Sequence, residues 1–214
     1  MGLQMPRKNP RAAAYARLRY DVDTEAIMFI AENIPQEMAR LPQWVVWGVP
    51  NKVLKCPFNP ATMIEAKAGR PETWGSFEQA VDRVRRGQAQ GVGFEFLVGG
   101  GIVGIDLDTV RDPESGKVAY YALEMIKKLD SFTEVSMSGY GVHIFCFGEI
   151  VLERNKEKLP PNSIKRPVID AKTGKQKLDP KTGELLFKEP EIELYNKNQF
   201  FAMTGNLFVE AGCL

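Results

Sequence analysis

One heptapeptide restricts the folds open to this chain more than any other stretch. In Ile102-Val103-Gly104-Ile105-Asp106-Leu107-Asp108 apolar and acidic residues alternate, and successive side chains of a strand point to opposite faces. Val103, Ile105 and Leu107 therefore share one face. Asp106 and Asp108 share the other, their Cα atoms about 6.7 Å apart. Such a strand must be covered on its apolar side by another layer and must present both carboxylates on the other. Two carboxylates about 5 Å apart repel by about 3 kcal/mol at an effective dielectric of about 20, so the pair calls for a cation, a basic partner or a raised pKa. The sequence identifies no basic residue across from it. Two divalent ions bridged by such a pair suit phosphoryl or nucleotidyl transfer, and a third carboxylate is then expected from elsewhere. Alone, an Asp-x-Asp at a strand end is also common in loops and in sugar transferases.

Short elements of both periods surround this strand. Residues 24–40 are helical in character, with Ile27, Ile30, Ala31 and Ile34 at helical spacing until Pro35, and a short second turn through Met38 and Leu41. Residues 44–49 form a continuous apolar run between Pro42 and Pro50, expected as a buried strand paired with residues 53–58. Ser76 and Gln79 have the spacing of a capping box ahead of the stripe Phe77, Ala80, Val81 and Val84, with Gly87 at the end. Arg83, Arg85 and Arg86 stand on the opposite face, as candidate phosphate contacts or as a solvated surface. Residues 91–98 and 102–108 read as strands joined by Gly99-Gly100-Gly101, residues 117–129 as a helix, and residues 132–138 with 142–147 as a hairpin. Residues 151–190 are polar and repeat Asp-x-Lys-Thr-Gly at 170 and 179, as a surface insertion would. Strand character returns at 192–195 and 200–204. The whole is an α/β or α+β domain of about eight strands.

Twenty-eight Lys and Arg against 27 Asp and Glu leave a formal charge of +1, so any nucleic acid must meet a local basic patch. Cys56, Cys146 and Cys213 are too scattered for a disulfide framework or a structural zinc site. Residues 1–23 form a basic arm expected to be flexible, ahead of one domain over 24–214. With no signal-like or membrane-spanning apolar run, a cytoplasmic protein is expected.

The segment Ser136-Met137-Ser138-Gly139-Tyr140-Gly141-Val142-His143 holds the chain's one histidine. Its small residues can form a phosphate-cradling turn. By themselves Gly139 and Gly141 also fit a plain hairpin, and His143, in phase with Phe145 and Phe147, also fits a core histidine.

Taken in order, Asp106-Leu107-Asp108, then Ser138-Gly139-Tyr140-Gly141-Val142-His143, then Glu193-Leu194-Tyr195 with Phe200-Phe201 and Thr204-Gly205 closely resemble the three motifs of the primase-polymerase domain of archaeo-eukaryotic primases. The likeness is to phage and plasmid replication proteins in particular. Lys55-Cys56-Pro57-Phe58-Asn59-Pro60, Thr73-Trp74-Gly75-Ser76-Phe77 and Gly91-Val92-Gly93-Phe94 extend it over roughly residues 41–206.

The resemblance implies an N-terminal α/β unit packed on a unit like an RNA-recognition fold, with the active site between them. It implies a template-dependent nucleotidyltransferase that makes primers or extends DNA. Asp106, Asp108 and Glu193 would be the catalytic ligands of two Mg²⁺ or Mn²⁺ ions, with Glu191, on the same strand face, as the competing third ligand. Ser138, Gly139, Gly141, His143 and Lys55 would bind the nucleotide. Implied partners are a single-stranded DNA template, nucleoside triphosphates and a helicase domain or protein, with no membrane. Gln199 departs from the pattern, since relatives often carry arginine before the paired aromatics. A metal-dependent nuclease and an inactive DNA-binding replication module are the rival readings.

Overall fold

The computed structural model describes residues 29–52, 56–150, 156–170 and 173–210. The basic arm, Lys55 and Cys213 lie outside these residues. Among the described residues the secondary structure is mixed, with eight strands in two antiparallel sheets and few helices, which is the α+β class expected. The first sheet has the order β1 (Trp44–Trp47), β2 (Gly91–Glu95), β8 (Phe200–Met203). The second has the order β4 (Phe132–Val135), β5 (Val142–Phe147), β3 (Ile102–Asp108), β7 (Glu191–Tyr195), β6 (Lys156–Lys158).

Two helices cover the sheets. Helix α2 (Phe77–Arg85), after the short α1 (Gln36–Ala39), buries Phe77, Ala80, Val81 and Val84 against Trp44, Val46 and Phe94 of the first sheet. It starts at the expected capping box, in which the Ser76 hydroxyl accepts from the Gln79 N–H and the Gln79 side chain accepts from the Ser76 N–H. Helix α3 (Tyr120–Leu129) packs Ala122 and Ile126 on Val103, Ile105, Leu107, Val142 and Ile144. The apolar half of the β3 alternation is thus buried as its pattern requires.

On its other face β3 meets the first sheet. A Cβ on Gly104 would lie 2.3 Å from Phe96 and 2.8 Å from Phe201, so only a residue without a side chain fits there. Phe96, Phe145 and Phe201 close this junction with ring centroids 5.0–6.1 Å apart.

The two strands joined by Gly99-Gly100-Gly101 part, β2 entering the first sheet and β3 the second. β7 and β8 part likewise, into the second sheet and the first. Several expectations are corrected. Residues 117–119 are not helical, because Val118 bridges Arg111 before α3 begins at Tyr120. Of the expected 53–58 strand, the described part makes only isolated bridges, Phe58 to Val46 and Phe58 to Glu65. Residues 31–33 form a 3-10 turn, and residues 24–28 are outside the described chain.

The polar insertion has an order of its own. Segments 166–170, 175–179 and 184–188 lie nine residues apart and bond to one another in a ring. Lys177 N–H donates to Val168 O, Leu186 N–H to Lys177 O, and Val168 N–H to Leu186 O, at 2.7, 2.8 and 3.0 Å. A second bond joins each pair of segments: Asp170 N–H to Lys175 O, Asp179 N–H to Glu184 O, and Lys188 N–H to Arg166 O. The doubled Asp-x-Lys-Thr-Gly forms the two turns between segments, Asp170 Oδ1 accepting from the Thr173 N–H and Asp179 Oδ1 from the Thr182 N–H. This three-sided arm is tied down by Asn162, whose side chain donates to Thr109 O and to the Tyr121 hydroxyl.

Candidate active site

A cleft of about 560 Å³ opens where the sheets meet, and both line it. Strand register gathers the acidic residues on one side. Asp106 on β3 stands opposite His143 on β5 and opposite Glu193 on β7, while Asp108 stands opposite Glu191. Three neighbouring strands therefore put Asp106, His143 and Glu193 in one row, on the face of β3 turned away from α3.

Burial raises the Asp106 carboxyl above the ordinary carboxylate range. His143 and Arg166 work against the rise, and the charges of Asp108 and Glu193 add to it. His143 is almost fully buried, with Nε2 3.9 Å from Asp106 Oδ1. Its Nδ1 is 3.1 Å from Glu134 Oε1 on β4. Glu134 is itself fully buried, and its other oxygen accepts from the Thr204 and Gly205 N–H groups at 3.1 and 2.7 Å. An acceptor so fixed places the Nδ1 proton and turns Nε2 to the cleft. Burial alone would lower the His143 pKa. The hydrogen bond to Glu134 and the charges of Asp106, Glu134 and Asp108 outweigh it, and the pKa is raised.

The 136–141 turn forms the adjoining wall. Gly139 N–H donates to Ser136 O and Tyr140 N–H to the Ser138 hydroxyl, so these two backbone donors are spent inside the turn rather than offered to a phosphate. Ser136 and Ser138 line the cleft, their hydroxyls 3.2 Å apart. Gly141 serves close approach, since a Cβ there would be 2.4 Å from Leu107 O. The opposite wall is apolar and aromatic, with Trp47, Phe200 and Ala202, and Gln199 stands at its edge.

The sequence reading missed the cations. Arg166 pairs with Asp108 Oδ1, and Lys188 Nζ is 3.5 Å from Asp108 Oδ2. Lys156 Nζ lies 2.7 Å from Glu191 and 2.5 Å from Glu193, whose other oxygen accepts from the Tyr195 hydroxyl. All three cations come from residues 156–188. The described part of that segment is largely exposed, while Arg166 and Lys188 at its base reach into the cleft.

With these partners in place, no group of three or more His, Cys, Asp or Glu among the described residues is arranged to hold a metal ion. The donor types are nonetheless hard oxygens, which suit Mg²⁺ or Mn²⁺. Arg83 is occupied in tying α2 to the Pro60 and Ala61 carbonyls at 2.6 and 2.9 Å. Neither it nor Arg85 nor Arg86 lines the cleft. No helix among the described residues is long and apolar enough to cross a membrane.

No protein-family model matches the chain. Among curated proteins it is similar to a DNA primase-polymerase of Nitratiruptor phage NrS-1, 28% identical over 171 residues, which are 80% of this chain and 20% of that protein. The chain thus spans about a fifth of the relative's length. The resemblance to primase-polymerase domains drawn from the three motifs is borne out.

Proposed function

We propose that this chain is a DNA primase-polymerase, a template-dependent nucleotidyltransferase that joins nucleotides from nucleoside triphosphates on single-stranded DNA. One observation carries the reading. Antiparallel register sets Asp106 beside His143 on one strand and Glu193 on another, in a cleft with Asp108.

In this reading Asp106, Asp108 and Glu193 hold two Mg²⁺ or Mn²⁺ ions. The ions supply activation of the attacking 3′-hydroxyl and charge neutralisation at the transferring phosphate. The raised Asp106 pKa fits that assignment, because carboxylates crowded in a buried site favour a cation among them. Asp108 and Glu193 must exchange their bonds to Arg166, Lys188, Lys156 and Tyr195 for such ions. His143, held by Glu134 and with its pKa raised, presents an Nε2–H toward phosphate oxygens in its protonated form, and the Ser136 and Ser138 hydroxyls offer further donors. Trp47 and Phe200 give an apolar wall that excludes water from one side and can support a base. A helicase domain or protein is the natural partner for a chain that needs single strands.

The test is synthesis on an unprimed and a primed single-stranded template, with deoxyribonucleotides or ribonucleotides and Mg²⁺ or Mn²⁺. Asp106→Asn should lower turnover by on the order of a hundredfold or more without unfolding the chain, since positioning and charge stabilisation dominate this chemistry. Template cleavage without triphosphates would point to a nuclease. Template binding with no incorporation, indifferent to Asp106→Asn, would point to an inactive module.

A further inference from the structure

Arg166 and Lys188 are carried on one backbone pair, the Lys188 N–H donating to Arg166 O at 2.9 Å. Lys188 holds, in the third segment of the arm, the place that Asp170 and Asp179 hold in the first two. Those aspartates cap their own turns. Lys188 instead reaches out of the arm to Asp108, as Arg166 does. The Arg166 guanidinium also stands 5.7 Å from the centre of the Tyr140 ring, so it spans from the 136–141 turn to the acidic strand. Among the described residues Asp108 is the only carboxylate paired with either cation.

Two cations on one carboxylate leave positive charge unspent, and both side chains line the cleft. We propose that Arg166 and Lys188 bind the terminal phosphates of a nucleoside triphosphate, and that the same pair competes with a divalent ion for Asp108. The inference rests on reading Asp106, Asp108 and Glu193 as metal ligands. It adds to that reading where the triphosphate tail lies and what resists metal entry.

The competition follows from lone pairs. Asp108 Oδ1 accepts from Arg166 and from the Thr109 N–H, and Oδ2 is ion-paired with Lys188, so an ion that takes these oxygens turns the guanidinium and the ammonium toward the cleft. A guanidinium matches two phosphate oxygens at once, and an ammonium adds a point charge beside it. The charges agree in sum. Asp106, Asp108, Glu191 and Glu193 face Lys156, Arg166 and Lys188, four negative against three positive. Two divalent ions bring the site to about +3, against about −4 on a nucleoside triphosphate. Metal without nucleotide therefore meets repulsion, and metal with nucleotide meets a nearly neutral site.

Two binding measurements on the full chain test this, both independent of synthesis. One counts free Mn²⁺ by electron paramagnetic resonance with no nucleotide present. The other follows a non-hydrolysable deoxynucleoside triphosphate by calorimetry at saturating Mn²⁺. Arg166→Gln and Lys188→Gln should each tighten Mn²⁺ binding by about three- to tenfold and weaken triphosphate binding by about tenfold, opposite signs from one change. Arg166→Lys should recover part of the triphosphate affinity, and Lys181→Gln, in the exposed second turn, should change neither. Lys188 is half exposed, so its variant keeps the test open should Arg166→Gln not fold. If Mn²⁺ binding depends on Asp106 but is unchanged or weakened by both arm variants, or if triphosphate binding ignores them, the arm inference fails alone. If the parent takes up no Mn²⁺ that Asp106→Asn removes, the metal reading fails with it.

Discussion

Glu134 does for His143 what no neighbour in sequence does: it fixes the ring from behind while Thr204 and Gly205 fix Glu134. Removing its charge withdraws the main support for the raised imidazole pKa, so Glu134→Gln should lower that pKa. The chain has a single histidine, and one NMR titration reads it directly; an unchanged titration would remove Glu134 from the site. Glu95 makes a second test. It is fully buried with neither carboxylate oxygen hydrogen-bonded, and burial pushes its pKa from 4.5 up to about 7. Between those values the folded chain keeps a proton that the unfolded chain releases, so stability falls as pH rises through the window and stays low above it. The loss reaches about 3 kcal/mol at most. Urea unfolding at pH 4.5 and 8 should show that difference in the parent and lose it in Glu95→Gln. At this scale alternation placed Asp106 and Asp108 on one strand face and the family resemblance singled out Glu193 and His143, and all four line the one cleft. Glu134 and Arg166 were not legible, since Glu134 meets His143 only through the β4–β5 pairing and is anchored by Thr204 70 residues away, and Arg166 meets Asp108 58 residues away.

Elements were legible where their signals are short-ranged. The capping box and stripe of α2 and the two-faced β3 each sit within one stretch of chain. Pairing was not legible, and Gly99-Gly100-Gly101 shows why. A glycine turn normally advertises a hairpin, yet here it carries the chain from one sheet to the other. What decides the matter is packing at Gly104, where Phe96 and Phe201 fill the space a side chain would need. Gly104→Ala should therefore cost about 1–3 kcal/mol, measured by chemical denaturation. A neutral result would mean that the sheets can part there, and with them the cleft walls.

Across the whole molecule, charge is nearly balanced at +1, while the cleft and the arm base concentrate both signs. Binding to single-stranded DNA should then weaken only gently with salt, with a log–log slope of about −2 to −3, as expected for a few phosphate contacts. A slope steeper than about −5 would demand a broad basic surface. Between β5 and β7 the described part of the arm is organised about its own ring of six hydrogen bonds.

That ring has a consequence for how the protein lives among copies of itself. Ile169, Leu178, Leu185 and Phe187 are exposed on the arm, and an open ribbon with such residues would invite a neighbour's ribbon to add on. Because the last segment closes back on the first, each segment already has two partners within the arm. The projection can stay long, sticky in composition and outward-facing without seeding fibres.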